Sequence, residues 1–72
     1  MPKALFKTTI RKLRFEKDEM TQQELANLVG CTRQTIVALE AGKYVPSLYL
    51  SFKIARLFRV TVEEIFQFEE EG

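Results

Sequence analysis

Thr32, Arg33, Gln34 and Thr35 follow one another with no apolar residue among them. The guanidinium of arginine is a fork of donors that fits the two acceptors on the groove edge of guanine. A glutamine carboxamide fits the donor and acceptor of adenine, and threonine hydroxyls bond bases or phosphates. At the start of a helix these four residues would form a base-reading edge. The chain offers little else that does chemistry. It has no histidine and one cysteine, Cys31. The common zinc sets therefore lack ligands, the commonest general base is missing and no internal disulfide can form. There is no nucleophile motif and no phosphate-cradling loop, and the carboxylates gather in the tail. We therefore expect no enzyme, no metal, no cofactor and no small-molecule ligand.

The stretch TQQELANLVGCTRQTIVALEAG, residues 21–42, holds the elements that must present this edge. Thr21-Gln22-Gln23-Glu24 is a capping box that opens a helix, in which Leu25, Ala26 and Val29 form a buried stripe. Gly30 ends that helix, where a left-handed residue costs other side chains roughly 1 kcal/mol or more. Thr32 caps the next helix, whose inward residues Ile36 and Leu39 lie three apart. Ala26 is small enough for a second helix to cross closely, Gly30 makes the turn and Ile36 plugs the angle. That spacing is a helix-turn-helix, which leaves the N-terminal end of its second helix protruding. Thr32, Arg33, Gln34 and Thr35 sit at that end, where they can reach bases or phosphates. The amides at the start of the first helix, with Gln22 and Gln23, can clamp a phosphate.

Three further helices complete an all-α domain. One covers about residues 9–17, with Ile10 and Leu13 on one side. Another follows Pro46 and the cap Ser47, with Leu50, Ile54 and Leu57 at core spacing, Phe58 alongside, and Lys53 and Arg56 outside. Thr61-Val62-Glu63-Glu64 reads as a second capping box, opening a short helix with Val62, Ile65 and Phe66 on its apolar side. Near the ends, ALFKT and FQFEE alternate apolar with polar. On pattern alone they are either extended strands or frayed termini.

The 72 residues make one small domain, 46% hydrophobic and of formal charge +1. The charge is unevenly spread: residues 25–62 carry five bases and one acid, Glu40, whereas the tail from Glu63 holds five glutamates and no base. A near-neutral total thus conceals a cationic body. No apolar run is long enough to span a membrane, the start does not read as a signal peptide, and a reducing cytoplasm suits the single cysteine.

The run from Met20 to Phe66 resembles the helix-turn-helix family of phage Cro and repressor proteins, the XRE family. It most resembles the short subgroup marked by SRQTI (TRQTI here), GKYxPSL and a final EEIF, which is similar to the small cytolysin repressor. The resemblance covers about residues 10–66. It implies a five-helix transcriptional regulator, most often a repressor, that binds a palindromic DNA operator as a homodimer. It also implies that the two termini pair as a short antiparallel strand hairpin. The motif core is residues 21–42 and the recognition helix about 32–41, within a single domain of residues 1–72. Carried over by position, Gln22 binds backbone phosphate and braces the recognition helix. Arg33, Gln34 and Thr35 face bases, Thr32 caps the helix and touches phosphate, and Lys43 and Tyr44 follow the sugar-phosphate backbone. Cys31 stands where the family usually has valine. Val37 and Ala38 stand where many relatives are polar, so base reading is expected in the first turn of the recognition helix.

Several residues keep a second reading. Cys31 is a small core residue or a redox sensor, and Tyr44 packs under its loop or touches phosphate. Lys53, Arg56 and Arg59 form a solvated face or meet DNA. Phe52, Phe58, Phe66 and Phe68 are core or dimer seam. A core this small gains from a partner, and Leu48, Tyr49, Val62 and Phe66 are the expected homodimer interface. If the termini pair, Lys3 and Lys7 should face Glu69 to Glu71. The alternative function is an antitoxin-type autoregulator or protein-interaction module.

Overall fold

Hydroxyl caps start four of the five helices. In the computed structural model, which describes residues 4–68, the order is β1 (Lys7–Thr8), α1 (Ile10–Glu16), α2 (Gln22–Val29), α3 (Arg33–Glu40), α4 (Leu48–Phe58), α5 (Val62–Ile65) and β2 (Phe66–Gln67). Thr21, Thr32, Ser47 and Thr61 each accept a hydrogen bond from the backbone amide three residues on, at 3.0, 3.2, 3.1 and 3.1 Å. Each bond satisfies one of the amides that a helix start leaves open. At Thr21 the capping box is complete, because the Glu24 carboxylate also accepts from the Thr21 amide at 3.1 Å. At Thr61 it is not: the Glu64 carboxylate pairs with the Thr61 hydroxyl instead, at 3.2 Å.

The apolar stripes meet in one core. Ile10, Leu25, Ile36, Leu39, Ile54 and Ile65 are fully buried, so each of α1 to α5 contributes at least one of the largest core side chains. Burying such a side chain stabilises the fold by about 1.5–3 kcal/mol. Leu50 and Ala55 join them from α4, whereas Leu57 and Phe58 pack only partly buried against the cluster. Ser51 is buried too, its hydroxyl donating to the Ser47 carbonyl at 2.9 Å.

The two ends of the described chain come together. β1 and β2 pair antiparallel, Lys7 opposite Gln67 and Thr8 opposite Phe66. Thr9 extends the contact: its amide donates to the Ile65 carbonyl at 3.0 Å and its hydroxyl to the Glu64 carbonyl at 2.8 Å. Phe66 therefore leaves the α5 helix for a strand. Its side chain is 8% exposed and meets Phe6 edge-to-face, with ring centroids 5.5 Å apart. Phe66 is a core residue and not part of an exposed seam. Lys3 and Glu69 to Glu71, expected to pair by charge, lie outside the described residues.

Turns are made by left-handed residues. Gly30 ends α2 at φ 76°, and Gly42 follows α3 at φ 70°. Asp18, Glu19 and Arg59 also take positive φ, at 54°, 52° and 56°. At Gly42 the backbone is closely approached. The Leu5 amide donates to its carbonyl at 2.7 Å, and a Cβ placed there would lie 2.3 Å from the Phe6 carbonyl oxygen.

Candidate nucleic-acid interface

The turn between α2 and α3 is short because its backbone closes on itself. The amides of Gly30 and Cys31 both donate to the Ala26 carbonyl, at 2.9 and 3.0 Å. The chain then re-enters a helix at once through the Thr32 cap. One side of α3 is consumed by the core at Ile36 and Leu39, and the other is open. Arg33 and Gln34 are exposed, and among the described residues neither side chain makes a hydrogen bond or ion pair. Both are thus available to a groove.

Thr35 is placed differently from Arg33 and Gln34. It is half-buried, and its hydroxyl lies 3.0 Å from the Thr32 hydroxyl. The two threonines form one capping unit, with Thr32 on the exposed side.

Gln22 is half-buried, and its amide group donates to the Glu40 carboxylate at 3.2 Å. Gln23 is exposed and bonds Asn27 at 2.9 Å. The first turn of α2 still leaves the Gln22 and Gln23 backbone amides beyond any intrahelical acceptor. Lys43 and Tyr44 are exposed in the loop after α3, Tyr44 by 43%, and the Lys43 amide fixes that loop on the Ala38 carbonyl at 3.0 Å.

Beneath this surface lies a polar brace that the sequence did not reveal. The Arg14 guanidinium bonds Glu40 twice, from Nε at 2.6 Å and from Nη2 at 3.0 Å. Its third nitrogen donates to the Met20 carbonyl at 2.7 Å. The two side chains are only 13% and 11% exposed. Glu40 thus ties the last turn of α3 to α1 and, through Gln22, to the first turn of α2. The sequence hinted at it only in Glu40, the one acid in a basic stretch, and in the bracing role that the resemblance gives Gln22.

Cys31 sits half-buried against the core. Burial pushes its thiol pKa up, only partly opposed by the Lys53 ammonium. A raised pKa lowers the thiolate fraction in the folded chain. Iodoacetamide at pH 8 should therefore label the native protein more slowly than the denatured chain. Equal rates would mark an exposed, reactive thiol instead. Among the described residues no cluster of His, Cys, Asp and Glu could hold a metal ion, and no helix is long and apolar enough to cross a membrane.

Comparison with known proteins agrees with this geometry. The helix-turn-helix family model matches residues 10–65. An HTH-type transcriptional regulator of Archaeoglobus fulgidus is 55% identical over 65 residues, covering 90% of each chain. The cryptic phage CTXphi transcriptional repressor RstR of Vibrio cholerae is 36% identical over 61 residues, spanning 85% of this chain and 54% of the repressor. Among solved structures, the restriction-modification controller protein C.AhdI of Aeromonas hydrophila superposes with a TM-score of 0.67 at 31% identity, over 76% of this chain and 82% of the controller. With its capped helices and tight turn between α2 and α3, the chain thus belongs to the XRE-type helix-turn-helix family of DNA-binding transcriptional regulators.

Proposed function

We propose that this regulator is a repressor that binds a two-fold symmetric operator as a homodimer in the cytoplasm, with α3 in the major groove. The observation that carries the reading is the pair Arg33 and Gln34, exposed and without side-chain partners among the described residues, at the start of a helix whose opposite side is seated in the core. Arg33 and Gln34 read base edges. Thr32 and the amides at the start of α2, with Gln22 and Gln23, hold one phosphate region, and Lys43 with Tyr44 holds another. The likeness to a phage repressor supports the sign of regulation.

Leu48, Tyr49 and Phe52 support the dimer, since they are 71, 73 and 52% exposed on α4. Leu48 and Phe52 line a groove with Val62, Arg56 and Glu63. A basic and an acidic residue on one apolar groove make it self-complementary under two-fold pairing. The seam is therefore Leu48, Tyr49, Phe52 and Val62, without Phe66.

Selection of bound sequences from a random duplex pool tests the whole reading. An inverted repeat with half-sites about 34 Å apart is expected. On that site, Arg33→Ala or Gln34→Ala should cost roughly 1–3 kcal/mol and relax choice at one position. Lys43→Ala should weaken all sequences alike and flatten the salt dependence by about one ion. Full discrimination retained by both Arg33→Ala and Gln34→Ala would refute the base-reading assignment.

A further inference from the structure

Val37 is the one large apolar side chain of α3 that the core does not take: it is 42% exposed, while Ile36 and Leu39 are fully buried. At about 100° per residue, it projects between Arg33 and Gln34 in direction and about 6 Å beyond Arg33 along the axis. It therefore shares their open strip, one turn further on. Its neighbours there are Ala38, half-buried, and Ala41, exposed, both too short to reach past it. The acid of that turn, Glu40, is folded back onto Arg14 and Gln22, which keeps a carboxylate away from the strip. Helix formation does not explain a valine here, since β-branched residues are poorer helix formers than alanine.

We propose that Val37 is a specificity residue that reads thymine through its C5-methyl group. The inference rests on α3 being the base-facing helix. On a major-groove edge, the thymine methyl is the one large apolar group offered; cytosine has only a hydrogen at that carbon, and the other readable positions are hydrogen-bond donors or acceptors. A valine set against those groups would strip them of water and return no bond, which is unfavourable. Against a methyl, it buries two apolar surfaces at once. Val37 thus favours thymine and rejects the alternatives at a position one to two base steps beyond those met by Arg33 and Gln34. Reading extends into the second turn of α3, by shape and burial and not by hydrogen bonding.

Uracil scanning of the selected operator tests this, because uracil differs from thymine only by the missing methyl. At one thymine per half-site, uracil should weaken the wild-type protein about fourfold, the worth of one buried methyl. The same replacement should leave Val37→Ala unchanged, that protein having already lost the contact. At every other thymine the two proteins should respond alike. Equal uracil losses in both proteins at every thymine, or a selected site with no thymine in reach of the second turn, would overturn the proposal. Either result is separate from failure of the base-facing reading, which Arg33→Ala reports on the same duplexes. Val37 is exposed, so its truncation leaves the core intact, and the Arg33-dependent discrimination checks that the variant is folded.

Discussion

Glu40→Ala is expected to destabilise the domain by about 3–5 kcal/mol, the usual consequence of removing one partner of a buried ion pair. The substitution strands the Arg14 guanidinium, whose side chain is 13% exposed, with only the Met20 carbonyl as a partner among the described residues. It also releases Gln22 from the last turn of α3. A loss of that size consumes a large share of the stability of so small a domain. Urea denaturation measures it directly. The double variant Arg14→Met, Glu40→Leu should recover much of the loss, because it leaves neither charge unpaired. A loss below about 1 kcal/mol would place the pair with ordinary surface ion pairs.

Gly42→Ala should come next, at about 3 kcal/mol, from left-handed strain together with steric overlap. The overlap is severe because the obstacle is backbone: the Phe6 carbonyl oxygen at 2.3 Å, with the Ala4 Cβ at 2.9 Å. Both flank Leu5, whose amide donates to the Gly42 carbonyl, so displacing them strains that bond. Gly30→Ala is the control. It has the same sign of φ, but its nearest neighbour would be the flexible Lys53 ammonium at 3.4 Å, so its cost should stay near 1 kcal/mol. Thermal melts of the two variants decide between strain alone and strain plus collision. Equal losses would mean that the segment at Ala4–Phe6 yields easily.

Most of the scaffold was legible because its signals are local. A threonine or serine cap acts within three residues of itself, so Thr21, Thr32, Ser47 and Thr61 could be placed from their neighbours alone. Apolar spacing likewise identified Leu25, Ala26, Val29, Ile36 and Leu39 as inward-facing. What escaped depends on partners far apart in the chain. Arg14 and Glu40 are 26 residues apart, and each by itself resembles a solvated charge on a helix. The close approach at Gly42 could not be read either, since its obstacle comes from Phe6. The strands are two residues each, too short for alternation to show which side of Phe66 faces inward. For the interface the same division holds. The pattern singled out Arg33 and Gln34, but the packing drew Thr35 into the cap and left Val37 in the open.

During synthesis, the partners of Lys7, Thr8 and Thr9 emerge only after α2, α3 and α4 have been made. The bond from Thr9 to Glu64 closes a loop of 55 residues, and such closures come late because their entropy must be overcome before any contact rewards it. α2 and α3 can dock on each other much earlier, since only the turn at Gly30 separates them. Until Phe66 arrives, however, Phe6 lacks the ring it packs on, and Phe6 belongs to the segment that buttresses Gly42 just past α3. A product truncated before Phe66 therefore carries Arg33 and Gln34 on an unfinished support that is open to proteolysis. On the proposed base-reading role of Arg33 and Gln34, such fragments are expected to bind an operator more weakly than the finished chain.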